Sequence, residues 1–276
     1  MKSRLVFLRM TAKKIYIFIL ICVLFVGCAK SRRFLTIEKD VLSVGVEIGY
    51  PPMEYYDTDG SPAGFDIELT KALADKLKLQ VNFIDTAWDS ILAGLDTGRY
   101  DIAVNITILP ERQKKYNFTK PYINSFIVIV TRKDSQVKID KAEDIAGNRV
   151  AFQGNTTAQY YSESLNNRGV KFTSFSYDKI VNCFDDLKLG RVDFVAVDNI
   201  VACYYLAKEN SVFEIAWVDS QNGSEELYEK SSEELIAFCL KKGNDALTSA
   251  LNKALDELIA DGAVREISYR YFGESK

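Results

Sequence analysis

One local pattern occurs in each half of this chain and constrains its fold more than any other feature. The residues Gly-Arg-X-Asp, starting at Gly98, follow a helical segment and precede the apolar run 102–104. The same four residues, starting at Gly190, precede the apolar run 194–197. A short β-branched or aromatic run after a glycine is typical of a buried strand. The repeat therefore predicts two similar α/β lobes.

Polar residues follow the first of these strands. Asn105 and Thr107 come directly after it, and Arg112 follows a proline and a glutamate. A guanidinium group can hold both oxygens of a carboxylate, and a threonine hydroxyl can complete its shell. These three residues therefore indicate a carboxylate site. The alternative is that Arg112 begins a surface helix and pairs with solvent or Glu111.

A second candidate anion site lies in the other half. The strand 150–152 is followed by Gln153-Gly154-Asn155-Thr156-Thr157 and then by a predicted helix, 158–166. The N-terminus of a helix offers free N–H groups and the positive end of its dipole to an anion. Asn155 tolerates a left-handed backbone, which such a loop requires. The alternative is a plain helix cap without a ligand.

Two further strand ends carry polar residues. The loop 47–53, which contains Glu47 and Tyr50, follows the predicted strand 41–46, and such loops bind ligands in open α/β sheets. Asp198 ends the strand of the second Gly-Arg-X-Asp pattern, facing the predicted cleft. The alternative for Asp198 is a helix cap for residues 200–207.

Composition excludes several classes of function. The chain has 276 residues, a formal charge of −3 and no histidine. We therefore expect no nucleic-acid partner, no zinc or other metal site, no cofactor and no histidine-based catalysis. Cys183, Cys203 and Cys239 lie in apolar segments and are predicted to be buried core residues, with a single disulfide as the alternative.

The N-terminus has the layout of an export signal. Basic residues precede the apolar run 15–26, which ends at Gly27-Cys28. We predict a lipoprotein signal peptide over 1–28, lipidation of Cys28 and a tether over 29–40. An uncleaved N-terminal anchor is the alternative, and translation starting at Met10 is compatible with either. Both place the folded part outside the cytoplasm, tethered to a membrane.

Several ordered motifs resemble one protein family. After the first Gly-Arg-X-Asp and its strand come T-x-x-x-E-R from Thr107 and F-T-x-P-Y from Phe118. G-F-D-x-x-L begins at Gly64, a version of Q-x-G-T-T begins at Gln153, and a closing D-G begins at Asp261. This order resembles the bacterial extracellular solute-binding proteins of family 3, the polar amino-acid receptors of ABC importers. The resemblance covers residues 41–273.

The resemblance implies an architecture. It is a two-lobed α/β periplasmic-binding-protein-like fold of type II, in which each lobe is a mixed sheet flanked by helices. Lobe 1 would comprise 41–128 and 234–276, and lobe 2 would comprise 129–233. The two lobes would be joined by two crossings. The predicted strand 125–131 would be one crossing, and the predicted strand 235–240 would lie near the other.

The resemblance also implies a function and a site. A monomer would bind a free L-amino acid between its lobes and deliver it to an ABC permease. The resemblance assigns the ligand carboxylate to Arg112, Thr107, Thr156 and Thr157, and the ligand ammonium to Asp198 and Glu47. It assigns the aromatic walls of the pocket to Tyr50 and Trp88. Asn105 would be a further ligand-binding residue beside them. The alternatives are that Tyr50 packs on its neighbouring prolines, that Trp88 is a core residue and that Glu47 is a solvated loop acid.

Three questions stay open at this level. The charges of Arg112, Asp198 and Glu47 sum to about −1, which disfavours an acidic ligand and leaves cystine, glutamine or a basic amino acid. Cyclohexadienyl and arogenate dehydratases resemble the same family, and Glu47 can be imagined as their general acid. The export signal and the Thr-Thr and Asp198 pairing favour transport. A receptor sensor domain is disfavoured because no second membrane span follows.

Overall fold

The computed structural model of the protein describes residues 35–218 and 234–273. The predicted signal peptide, Cys28, the first part of the tether and the polar loop predicted at 220–232 lie outside these described residues. The end of the tether contacts the first lobe, because the backbone N–H of Ile37 donates to Asp101 Oδ1 at 2.6 Å. No helix within the described ranges combines the length and apolar character needed to cross a membrane.

The described strands and helices alternate along most of the chain. The strands are β1 (Val41–Val46), β2 (Tyr55–Tyr56), β3 (Pro62–Ala63), β4 (Gln80–Asp85), β5 (Ile102–Thr107), β6 (Tyr116–Phe118), β7 (Ile123–Ser125), β8 (Ile127–Arg132), β9 (Arg149–Gln153), β10 (Thr173–Tyr177), β11 (Phe194–Asp198), β12 (Phe213–Val218) and β13 (Glu234–Lys241). The helices are α1 (Phe65–Leu77), α2 (Ile91–Thr97), α3 (Pro110–Lys115), α4 (Thr157–Asn167), α5 (Ile180–Lys188), α6 (Asn199–Ala207), α7 (Asp245–Ala260) and α8 (Ala263–Phe272). Short 3₁₀ turns cover Trp88–Ser90 and Ala142–Ile145.

Two mixed sheets share one topology. The first has the order β4-β1-β5-β13-β6, and β7 also pairs with β13. The second has the order β10-β9-β11-β8-β12. In each sheet three parallel strands are followed by an antiparallel one, β13 in the first and β8 in the second. This correspondence confirms the two similar α/β lobes that the repeated pattern predicts.

The chain passes between the sheets twice. It leaves the first sheet at Phe126, between β7 and β8, and it returns between β12 and β13. The predicted strand 125–131 is therefore wrong as one element, because Ser125 ends β7, Phe126 lies in neither strand and residues 127–131 belong to β8. The exact lobe boundaries at 128 and 234 remain predictions.

The first Gly-Arg-X-Asp strand is longer than predicted. We placed its polar end at Asn105, but β5 continues to Thr107, and all six of its residues are buried. The antiparallel partner β13 continues to pair with this segment as far as Thr107, so a polar side chain does not end the strand. Asn105 takes a left-handed backbone with φ of 58°, where the register with β13 shifts.

Thr86 and Asp89 precede α2 and are residue types that suit a helix cap. Neither caps the helix, because the Thr86 hydroxyl donates to Ile84 O at 3.0 Å and Asp89 accepts from Ser90 Oγ at 2.8 Å. Short polar side chains bond to whichever neighbouring group is nearest, and here that group is not the helix end. Cys183 and Cys239 are buried as predicted, but Cys203 is exposed on α6, and all three thiols are free.

One aromatic side chain fixes the first motif against its sheet. Tyr100 is 1% exposed and lies between Gly45 of β1 and Gly94 of α2. A Cβ atom added at Gly45 would lie 2.2 Å from the Tyr100 ring, and one at Gly94 would lie 2.1 Å from its hydroxyl. Glycine is therefore needed at both positions, because the ring fills the space a side chain would occupy.

Candidate functional site

A single cavity collects the nine candidate residues of the sequence. It encloses an empty volume of about 400 Å³, open solvent at its mouth included. Its walls contain all the predicted site residues and three that were not predicted: Glu47, Tyr50, Trp88, Asn105, Thr107, Arg112, Thr156, Thr157 and Asp198, and in addition Glu54, Gln153 and Ile236. Both lobes contribute, since the residues come from the loops and strand ends of both sheets.

Arg112 lies at one end of this cavity. It is 8% exposed, so the surface-helix alternative is wrong, although α3 does begin just before it with Pro110 at its first turn. Its Nη1 donates to Thr107 O at 3.2 Å, which ties the guanidinium to the end of β5. A guanidinium carries five N–H donors, so this single bond leaves donors for a carboxylate.

The loop before α4 has the left-handed residue and the helix start that the sequence predicts. Asn155 has a φ of 60°, and Thr156 caps α4 by accepting a bond from Gln159 N at 3.4 Å. The cap interpretation is thus correct for the Thr156 hydroxyl. The Thr157 hydroxyl is engaged elsewhere, because it donates to Glu234 Oε2 at 2.8 Å. Both threonines line the cavity, so the N-terminus of α4, whose first N–H groups have no partner within the helix, lies at the cavity wall.

Asp198 forms the acidic part of the same end. It occupies the N-cap position of α6, as the helix-cap alternative predicts, but its side chain makes no cap bond to the helix. Instead, the Tyr50 hydroxyl donates to Asp198 Oδ2 from the other lobe. Burial raises the pKa of Asp198, and the bond from Tyr50 offsets part of that rise. Such a buried carboxylate is stabilised by a cation that enters the cavity.

Glu234 is a neighbour of this carboxylate that the sequence did not indicate. It is 9% exposed at the start of β13, and burial followed by the charge of Asp198 raises its pKa to about 8. The only signal available was an acidic residue at the first position of the returning strand. Its contact with Thr157 joins the first sheet to the beginning of α4.

Glu47 and Trp88 also line the cavity. Glu47 is 4% exposed, so it is not a solvated loop acid, and burial raises its pKa to about 7. Gln153 Nε2 donates to both Glu47 oxygens at 2.9 Å, across the two lobes. Trp88 is partly buried and packs against the core cluster that contains Ile91 and Leu95, so the core alternative is correct in part. Its Nε1 donates to Asn155 O at 3.0 Å.

A buried acidic network lies beneath the cavity. Asn105 Nδ2 donates to the two Glu54 oxygens at 3.2 and 3.3 Å, and the Asn105 backbone N–H donates to the Tyr122 hydroxyl at 3.0 Å. Asp66 lies beside both Glu54 and Tyr122 and is fully buried. Burial raises the pKa of Glu54 well above its ordinary value and raises that of Asp66 to about 8.

Because Asp66 is a buried acid with a raised pKa, we expect the free energy of unfolding to fall as the pH rises, and we expect Asp66→Asn to reduce that fall. The folded pKa of Asp66 exceeds its unfolded value, so folding favours its protonated form. Its contribution is complete below about pH 4 and is lost as the pH rises to about 8, by at most about 1.4 kcal/mol per pH unit. Urea unfolding at pH 5 and pH 8 should therefore show a smaller fall for Asp66→Asn than for the wild type. The exposed Asp57→Asn is the control, and equal falls in both variants would contradict the assignment.

Known proteins resemble this chain in sequence. Residues 42–274 match the sequence profile of the bacterial extracellular solute-binding proteins, family 3. The L-cystine-binding protein TcyJ of Escherichia coli K12 is 32% identical over 237 residues, which cover 86% of this chain and 84% of that protein. The ABC transporter arginine-binding protein 1 of the same organism is 31% identical over 232 residues, covering 84% and 90%.

Solved structures of amino-acid-binding proteins resemble this chain in fold. An ancestral arginine-binding protein bound to arginine superposes with a TM-score of 0.76 at 32% identity, covering 85% of this chain and 99% of that one. The ancestral amino acid-binding protein AncCDT-1, a precursor of cyclohexadienyl dehydratase, gives 0.75 at 30% identity, covering 84% and 96%. The named relatives are binding proteins rather than enzymes. From the profile match and these identities, the chain belongs to the bacterial extracellular solute-binding proteins of family 3.

Proposed function

We propose that this protein is the substrate-binding component of an ABC importer and that it binds a free L-α-amino acid between its lobes. One observation carries the proposal: a single cavity places the buried Arg112 of the first lobe together with the buried Asp198 of the second. A free α-amino acid has a carboxylate and an ammonium on one carbon. Both lose water on binding, so each needs a charged partner inside the protein.

The other cavity residues complete this arrangement. Thr107 and the backbone N–H groups at the N-terminus of α4 supply further donors to the carboxylate. The hydroxyls of Thr156 and Thr157 donate instead to Gln153 O and Glu234 Oε2, so these threonines act through their backbone. Tyr50 and Trp88 enclose the rest of the ligand. Asn105 contributes indirectly, since its amide is engaged by Glu54.

Ligand binding is coupled to lobe closure in this proposal. Three contacts cross between the lobes around the cavity: Tyr50 with Asp198, Glu47 with Gln153, and Trp88 with Asn155. They form only when the lobes are together, and a hinge at the two chain crossings permits the lobes to separate. The closed form would then dock on a membrane permease as a monomer. A lipid on Cys28 would hold the protein at the outer side of the cell membrane.

A thermal-shift panel tests the proposal. The full chain, extracted in mild detergent and stripped of ligand by partial unfolding, is heated with each common amino acid, with cystine and with prephenate. A specific ligand at a thousandfold excess over its dissociation constant should add about 4 kcal/mol. For a chain of this size that raises the melting temperature by about 8–16 °C. No shift with any amino acid would contradict the proposal.

One observation favours a dehydratase as a second candidate. The raised pKa of Glu47, about 7, is that of a group able to donate a proton near neutral pH. In addition, AncCDT-1, which has the same fold, is described as a precursor of cyclohexadienyl dehydratase. Turnover of prephenate without a shift from any amino acid would establish that alternative.

A further inference from the structure

The cavity has a second polar end that the α-amino and α-carboxyl groups of a ligand do not use. Its centre is Glu47, whose two oxygens both accept bonds from Gln153 Nε2 at 2.9 Å. The charged groups that act on Glu47 are Lys179, Asp85 and Asp89. The side chains that contact Asp198 are different, namely Tyr50, Ser125 and Glu234. We call the group around Glu47, with Gln153, Asp178 and Lys179, the Glu47 end; Glu54, on the same cavity wall, is influenced by both Glu47 and Asp198.

Gln153 presents an unused acceptor at the Glu47 end. Its Nε2 faces three acceptors, the two Glu47 oxygens and Asp178 O at 2.9 Å, and this fixes which atom of the amide is the nitrogen. The side-chain oxygen Oε1 therefore points away from them. Gln153 is 2% exposed, and within the described residues no donor reaches Oε1. A buried acceptor without a donor is costly, so a ligand donor is expected there.

The charge balance at this end is negative. Glu47 is buried, and within residues 35–218 and 234–273 it forms no ion pair. Asp85 and Asp89 add negative charge nearby, and the one neighbouring cation, Lys179, is exposed to solvent. In the proposed complex, Arg112 and Asp198 are matched by the two charges of an α-amino acid. Glu47 and Glu54 are then the acids on the cavity wall without a cationic partner among the described residues, and burial raises the pKa of Glu54 well above its ordinary value, whereas it raises the pKa of Glu47 to about 7.

We propose that the ligand is a basic L-α-amino acid, with its guanidinium or ammonium side chain held by the Glu47 carboxylate and Gln153 Oε1. The inference rests on the proposed function and narrows its ligand class. It moves Glu47 from the α-ammonium to the ligand side chain and leaves the α-ammonium to Asp198. Trp88 and Tyr50, on the cavity wall, can add cation–π attraction to the same group.

Two other ligand classes match the charge and the free acceptor at the Glu47 end less well. The amide of glutamine can donate to Gln153 Oε1, but it leaves the charge of Glu47 uncompensated. The distal half of cystine brings an ammonium and also a second carboxylate. That carboxylate would face Glu47, and the only nearby cation among the described residues is the exposed Lys179. A single cationic side chain satisfies both acceptors without adding an anion.

Calorimetric titration of the full chain with arginine, lysine, citrulline, glutamine and cystine tests the inference. Citrulline has the shape of arginine with a neutral end group. The wild type should bind arginine or lysine at least about 30-fold more tightly than citrulline or glutamine, as expected for a buried charge pair. Glu47→Gln should lose most of that preference, whereas Glu47→Asp, which keeps the charge, should retain it. Glu214→Gln, an exposed acid in the second lobe, is the matched control.

The outcomes separate the inference from the proposed function. If citrulline, glutamine or cystine binds most tightly, the basic-ligand inference is wrong and the amino-acid receptor remains. If no amino acid binds, the proposed function itself fails. A Glu47→Gln protein that keeps the full preference for arginine over citrulline would also overturn the inference. The comparison of ligands on the wild type needs no variant, so it stands even if Glu47→Gln folds poorly.

Discussion

Replacing Arg112 by alanine should weaken amino-acid binding by about 2–5 kcal/mol, which is about 30-fold to several-thousand-fold in the dissociation constant. The guanidinium is buried and held at the end of β5 by its bond to Thr107 O. Its removal leaves the ligand carboxylate desolvated in a closed cavity without its cation. Because the neighbouring threonines supply only neutral donors, they cannot replace the lost charge.

Isothermal titration with the best ligand of the thermal-shift panel measures this effect. Arg191→Ala is the matched control, since Arg191 is an exposed arginine whose ion pair with Asp186 lies outside the cavity. We expect the control to bind like the wild type. An Arg112→Ala protein that binds within about threefold of the wild type, a difference of less than about 1 kcal/mol, would remove Arg112 from the site.

Asp198→Asn should have the second large effect, and it should act on binding without lowering stability. The substitution preserves shape and still accepts the bond from Tyr50, but it removes the charge that pairs with the ligand ammonium. We expect binding to weaken by at least about 30-fold. In the absence of ligand, the buried carboxylate is a cost, because burial raises its pKa. The unliganded variant should therefore melt at the same temperature as the wild type or higher.

Paired measurements of melting and of affinity distinguish this role from a structural one. A structural residue would lower both the unliganded melting temperature and the affinity. Asp134→Asn is the control, since Asp134 is an exposed acid of the second lobe paired with Arg132 at 3.0 Å. Unchanged affinity in Asp198→Asn would assign the ligand ammonium to another group, with Glu234 as the nearest acid.

The elements of the fold were largely predictable because local patterns specify them. The two Gly-Arg-X-Asp motifs predict the strands β5 and β11, and the residues after Gln153 predict the helix α4. The failures occurred where local and tertiary preferences disagree. Asn105 and Thr107 resemble a strand end, yet pairing with β13 extends β5 through both. Thr86 and Asp89 suit a helix cap, yet each bonds to a closer neighbour.

In the candidate site, too, some residues were predictable from the sequence and others were not. Nine cavity residues could be proposed because the family resemblance implies them, and several of them also occupy a strand end or a helix start, where α/β folds place ligands. Glu54, Glu234 and Ile236 carried no such signal. Gln153 lay inside a predicted motif but was assigned no role. Its importance comes from its bond to Glu47, which is 106 residues away in the chain.

The sequence by itself determined the two-lobe architecture, the family and the residue types at the cavity wall, because short-range periodicity and motif order encode them. The tertiary structure alone decided which charges face each other. Tyr50 and Asp198 are 148 residues apart and meet across the cavity, and Glu47 acquires a pKa of about 7 through burial. Burial and long-range pairing set the charge state of a carboxylate, and neither is a property of its neighbours in the chain.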